Sequence, residues 1–122
     1  MTMPSTNYTV SVQLDPTGEI ALCQYADATG KPAQSPLKVP MGHSCTFVQG
    51  SGQSLVLVGV VFKTLGHAPV LTSNNFAAAV NGAVTVLMPA ADKVTKGAVL
   101  LFADPDKVTS LYPTSDPQIT NG

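Results

Sequence analysis

An all-β protein, specifically an antiparallel two-sheet β-sandwich of about seven or eight strands, is the fold class that this 122-residue chain predicts. Three observations carry the prediction. The composition is 44% hydrophobic but only 11% charged, against about 25% charged in average soluble proteins. Turn formers are dense, with ten Gly and ten Pro. Between the turns lie short segments that alternate apolar and polar residues or are rich in Val, spaced roughly as the strands of a sandwich are.

Taken in order, "YTVSVQL" at 8–14 sets Tyr8, Val10, Val12 and Leu14 against Thr9, Ser11 and Gln13, the period of a strand with one buried face. "DPTG" at 15–18 is a turn by its Asp, Pro and Gly chemistry, so "EIALCQYA" at 19–26 is expected to return antiparallel as a hairpin partner. "DATGKPAQSP" at 27–36 reads as an exposed loop, "LKV" at 37–39 as a short edge strand stopped by Pro40, and "HSCTFVQ" at 43–49 as the next strand. "SLVLVGVVFK" at 54–63 is apolar on both faces, which predicts a central strand covered on both sides, with Gly59 marking a bulge or a close backbone approach.

"TLGHAPVLTSNN" at 64–75 is irregular, the longest candidate binding loop. In "FAAAVNGAVTVLM" at 76–88 three alanines favour helix, but Asn-Gly between apolar β-formers predicts a hairpin. "PAADKVTKG" at 89–97 connects to a buried strand, "AVLLFA" at 98–103, and the tail 104–122 is rich in turn signals, with "SLY" able to pair. Residues 1–122 thus form one sandwich domain, immunoglobulin-like or cupredoxin-like in outline, with sandwich and barrel not separable by pattern alone.

Six Lys, no Arg and seven Asp plus Glu give a net charge of −1. The absence of the guanidinium fork and of a basic surface argues against nucleic-acid and phosphate partners. Without Trp, stacking platforms for sugars or bases are poorly supplied. The amino end "MTMPSTNYTV" lacks the basic and apolar regions of a secretory signal, and the longest apolar run, "LVLVGVVF", is far too short for a membrane helix. The expectation is a cytoplasmic protein without membrane partners, in which Cys23 and Cys45 are reduced.

The stretch "PMGHSC" holds the ingredients of a soft-metal site. Two His, one Cys and a weak axial Met are the blue-copper set, here His43, His67, Cys45 and Met41. Strand geometry weighs against it. His43, Cys45 and Phe47 share one face, Phe47 assigns that face to the core, and Met41 lies in a turn outside the strand register. In cupredoxins, moreover, Cys, the second His and Met cluster between the last two strands, where "ADPDKVTSLYPT" carries none of them. The expectation is therefore no cofactor and no metal.

Asp104-Pro105-Asp106, with Asp92 and Asp116, has a spacing seen in calcium sites, but Asp-Pro is also a common turn starter. Ser44 follows His43 directly, so the two side chains point to opposite faces, and no nucleophile elbow, Walker loop or dinucleotide fingerprint is present. A Cys45–His67 dyad is invisible in sequence. No enzyme activity is expected.

The carboxyl end, "TSDPQITNG", carries Asp116-Pro117-x-Ile119-x-Asn121 where frayed polar sequence is typical. A terminal Asp-Pro turn followed by Ile can dock the chain end against the sandwich or against a neighbouring subunit. The motif resembles the ending of the DP-EP family of short bacterial β-sandwich proteins, whose biochemical role is not established, and the strand pattern is similar along most of the chain. The resemblance implies a bacterial sandwich domain and supplies no catalytic residues. The functional expectation is a non-enzymatic interaction or assembly module, a homo-oligomer, because low charge leaves apolar surface exposed. Its candidate interaction residues are His67, Asn74, Asn75, Asp116, Ile119 and Asn121. The alternatives are a copper- or zinc-binding domain and a small-ligand or glycan binder working through the 64–75 loop.

Overall fold

Period-two alternation at the amino end builds the first strand, β1 (Ser5–Leu14), which buries Tyr8 and Val10 and leaves Asn7, Thr9, Ser11 and Gln13 in solvent. The computed structural model describes residues 4–66, 75–115 and 117–122, and for residue 108 the backbone alone. The "DPTG" turn returns the chain into β2 (Ala21–Ala26), antiparallel to β1 with Val10 opposite Tyr25. Next come β3 (Pro32–Ala33), β4 (Leu37–Val39), β5 (Ser44–Gln49) and β6 (Val56–Thr64). The remainder are β7 (Phe76–Ala78), β8 (Ala83–Val86), β9 (Thr95–Asp104), β10 (Lys107–Pro113) and β11 (Gln118–Asn121).

These strands form two sheets. Sheet A runs β3-β2-β1-β5-β8; sheet B runs β4-β11-β9-β6-β7, with β10 pairing β9 beyond β11. Their inner faces share one core, in which Val10, Cys45, Phe47 and Val86 of sheet A meet Leu57, Val60, Leu100, Phe102 and Ile119 of sheet B. Two separate sheets, rather than one closed cylinder, decide against a barrel.

Four expectations need correction. Eleven strands are present among the described residues, not seven or eight, because β3 lies inside the segment read as a loop and the tail contains β10 and β11. β3 and β11, of two and four residues, carry no period of their own; a neighbour's free backbone groups make them. The sheets are mixed and not antiparallel: β1 pairs β5 in parallel, and β4 pairs β11 in parallel. Hairpin signals fix only strands adjacent in sequence, whereas parallel neighbours are joined by long connections that leave no local mark.

The third correction concerns "AVNGAV". The tight turn forms, with Asn81 at φ 53°, Gly82 at φ 76° and reciprocal bonds between Val80 and Ala83 of 2.9 and 3.1 Å. Its arms then part: β7 pairs β6 in sheet B, and β8 pairs β5 in sheet A. The turn passes the chain between sheets. The fourth is β6, whose register with β9 slips between Leu57 and Gly59. This bulge lets Leu57, Val60 and Phe62 all point inward, while Val56 and Val61 remain 42% and 43% exposed on an outer face that no described element covers. The close approach expected at Gly59 is present as well: a Cβ there would lie 3.0 Å from the Ala77 carbonyl oxygen and from the Phe76 ring.

Candidate functional site

In the "PMGHSC" segment, the Pro40–Gly42 turn closes with the His43 amide donating to the Pro40 carbonyl at 3.1 Å, and Gly42 takes a φ of 84°. β5 then runs between β1 and β8. Cys45 is fully buried beside Phe47, and burial pushes its thiol up to about 12. A thiol so desolvated stays protonated and is a poor ligand or nucleophile. The His43 Nδ1 lies 3.1 Å from the Thr6 hydroxyl. The buried Ser44 hydroxyl accepts the Met88 amide at 3.2 Å. Met41 is exposed, its sulfur beside Gly122. Side chains named together as ligands thus take separate structural roles, and His67 lies outside the described residues. Among the described residues no three His, Cys, Asp or Glu side chains gather into a group able to hold a metal.

Register also decides the cysteine question. Cys45 lies opposite Thr6 and Cys23 opposite Val12, so they sit at positions six residues apart along β1, about 20 Å at ~3.3 Å per residue. Neither is in a disulfide, and that span is far beyond disulfide reach. The Asp104 carboxylate accepts the Asp106 amide at 2.9 Å, capping its own turn. Lys96 is half-buried, donates to the Leu87 carbonyl at 2.7 Å and lies 5.1 Å from the Phe62 ring centre; desolvation lowers its pKa.

The tail is built into the fold. β11 lies between β4 and β9, Ile119 is fully buried, and the buried Asn121 amide binds the 89–94 connection. Its Oδ1 accepts the Val94 amide at 2.7 Å, and its Nδ2 donates to the carbonyls of Pro89 at 3.1 Å and Asp92 at 2.9 Å. Of the two docking modes expected for the tail, this is docking against the chain's own sheets, which leaves Ile119 and Asn121 no surface for a partner. Asn75 donates to the Phe62 carbonyl at 3.0 Å, tying β7 to β6. Asn74 and Asp116 lie outside the described residues.

What the structure does gather is an apolar outer face on sheet B. Three cross-strand rows run over it without a charge: Val56–Ala103–Leu111, then Ala78–Gly59–Leu101–Pro113, then Phe76–Val61–Val99. Phe76 and Leu111 are 50% and 57% exposed. A fourth row, Lys63–Gly97–Gln118, ends the patch with polar groups. Sequence reading missed this surface because it assigned both faces of β6 to the interior, although the signal, an apolar run on both faces, was plain.

Sequence reading also missed a paired motif. Asp15-Pro16-Thr17-Gly18 and Asp27-Ala28-Thr29-Gly30 sit at opposite ends of β2. In each, Gly takes a positive φ and the Asp carboxylate accepts from the Thr hydroxyl and from later amides. Those bonds, the Thr hydroxyl first, hold both carboxyls below the usual carboxylate range. The spacing of Asp, Thr and Gly was the available signal, and its use is structural.

No protein-family model matches the chain, and no curated protein is significantly similar to it.

Proposed function

We propose that this chain is a non-enzymatic interaction or assembly module that works as a homo-oligomer, with the outer face of sheet B as its docking surface and a second copy as its partner. The observation that carries the reading is β6: a strand apolar on both sides, of the kind that proteins cover on both sides, with Val56 and Val61 left bare. Three considerations favour a second copy. The rows are uncharged, so they select no oppositely charged partner. At net charge −1, copies repel each other weakly. The ten positions of the three rows, at about 4.8 Å by about 6.6 Å each, make a footprint of about 320 Å² before side-chain relief is added, within the ~300–600 Å² of the apolar patches that often serve function on a small protein.

The non-enzymatic part of the reading is supported by the "PMGHSC" groups, which are engaged in the fold at Thr6, Met88 and the core. A cytoplasmic site of action and an immunoglobulin-like or cupredoxin-like classification of the two-sheet fold belong to the same proposal. So does kinship with the DP-EP family, supported by the buried Ile119 and Asn121 of the shared tail motif. Among the described residues no helix is long and apolar enough to cross a membrane.

Native mass spectrometry of protein purified without affinity metal tests the reading. A metal-free dimer or higher oligomer that dissociates when Leu111→Lys and Val56→Lys are combined supports it. A monomer at micromolar concentration overturns it, and a monomer with one stoichiometric copper or zinc moves the assignment to the metal-binding alternative.

A further inference from the structure

At the polar end of the sheet B face the surface becomes concave. Along the row Lys63–Gly97–Gln118 the central position has no side chain, leaving a notch between β6 and β11. Leu65 folds back over it: a Cβ on Gly97 would meet the Leu65 Cδ2 at 3.2 Å. Pro36 and Pro117, from the loops before β4 and β11, raise the opposite wall, and the Ser35 hydroxyl locks those loops together by accepting the Gln118 amide at 2.8 Å. The result is an open groove of about 730 Å³, within the ~300–1,000 Å³ range of small-molecule sites. Its floor is Val61, Gly97 and Val99. Among the described lining residues Lys63 is the single charged side chain, exposed and on the same sheet face as Val61.

From this arrangement we infer that the groove binds a small amphipathic anion, an apolar body with one anionic head group, the body lying over Val61, Val99 and Leu65 and the head meeting Lys63. The chemistry follows from the lining. Apolar walls desolvate a hydrocarbon chain, and a lone ammonium at the rim selects a single negative charge while staying in water. A glycan fits less well, because Phe62, the aromatic residue described along the groove, is buried in the core and offers no open ring to stack on a sugar. The second groove, about 690 Å³ along β1, β2 and β3, mixes polar Thr9, Ser11, Gln24 and Gln34 with apolar Tyr25, Pro32 and Ala33, and no charged side chain lines it.

The groove shares Val61 and Val99 with the face proposed for self-association, so a second copy and the anion would compete for them, and the test separates the two. Decanoate, decyl phosphate and decanol are titrated into the isotope-labelled protein and followed by amide chemical shifts, both for the unmodified chain and for Leu111→Lys, whose change lies at the far end of the face. The expected result is saturable binding of at least one of the two anions by Leu111→Lys, with shifts centred on Val61, Lys63, Gly97 and Val99, and binding no tighter in the unmodified chain, where a second copy competes for Val61 and Val99. Response to decanoate alone or to decyl phosphate alone assigns the head group. Lys63→Gln, an exposed change that leaves the fold intact, is expected to weaken the anion roughly fivefold and leave decanol unchanged. Gly97→Val, checked for folding by its melting curve, is expected to abolish binding by driving Leu65 into the groove. Shifts centred elsewhere, binding of neither anion, decanol bound as tightly as the anions, or anion affinity unaltered in Lys63→Gln would each overturn the assignment.

Discussion

On the outer face of sheet A, β1 presents Asn7, Thr9, Ser11 and Gln13 to solvent; on the outer face of sheet B, β6 presents Val56 and Val61. Both strands are long, both are flanked on two sides, and both bury their other face in the same core. The polar face is also internally satisfied. The hydroxyls of Thr46 and Thr85 lie 2.8 Å apart across β5 and β8, and Ser5 joins them from β1. The apolar face has cross-strand neighbours of its own kind and nothing described above it. Burial of one face therefore does not predict the chemistry of the other, and the unsatisfied face is where a partner gains most from desolvation.

The core carries the largest expected effects. Phe47→Ala in sheet A and Phe102→Ala in sheet B remove fully buried rings, and each is expected to cost about 3–5 kcal/mol of unfolding free energy in urea titrations. Near-equal losses mean that the inner faces are equivalent and only the outer faces differ; a loss below about 1 kcal/mol at either site contradicts the shared core. Asn121→Ala is expected to cost about 1–3 kcal/mol by stranding the Val94 amide, a loss that Asn121→Asp should recover only in part because the Nδ2 donor is gone.

Charges sharpen the contrast between faces. Val56→Lys with Leu111→Lys is expected to shift sedimentation from oligomer to monomer, whereas Thr9→Lys with Gln24→Lys on sheet A leaves it unchanged; equal behaviour of the two pairs removes the assigned asymmetry. Gly59→Val should destabilise by about 1–3 kcal/mol, because its side chain has to displace the Phe76 ring or the β7 backbone. Thr46→Val is the smallest effect, about 0.5–1 kcal/mol, the worth of a cross-strand hydroxyl pair.

The pH dependence has two arms. Asp15 and Asp27, held below the usual carboxylate range, contribute stability that is present above the unfolded carboxylate pKa and is lost as pH falls through their lower folded values. Asp27→Asn should flatten the acid limb of a stability–pH curve. Cys45 acts in the opposite direction. Its thiol stays protonated in the fold up to about 12, while the unfolded chain ionises near the ordinary thiol value, so stability falls as pH rises between the two. Cys45→Ala should remove that alkaline slope, measured against Cys23→Ala as control.

How much of this was legible depended on how local its cause was. Alternation made β1 readable, Asp-Pro-Thr-Gly made the β1–β2 hairpin readable, and Phe47 placed Cys45 in the core. Asn81-Gly82 announced its turn but not its destination, because the turn's backbone is set by two residues and the partners of its arms by the whole fold. Of the candidate interaction residues, Asn75, Ile119 and Asn121 each hold the chain's own fold. The groove residues Lys63, Gly97 and Gln118 went unnoticed because they come from three strands that only pairing aligns.

By itself, then, the sequence determined the β class, the principal strands, the tight turns and which face of β1 and β5 is buried, since side-chain period and turn chemistry act within a few residues. Only the tertiary structure decided that β5 and β11 pair in parallel with distant strands, that the Asn-Gly turn crosses between sheets, and that one apolar face of β6 stays uncovered. Those outcomes rest on backbone hydrogen bonds and apolar surface competing across the whole molecule, and no local window of residues contains that competition.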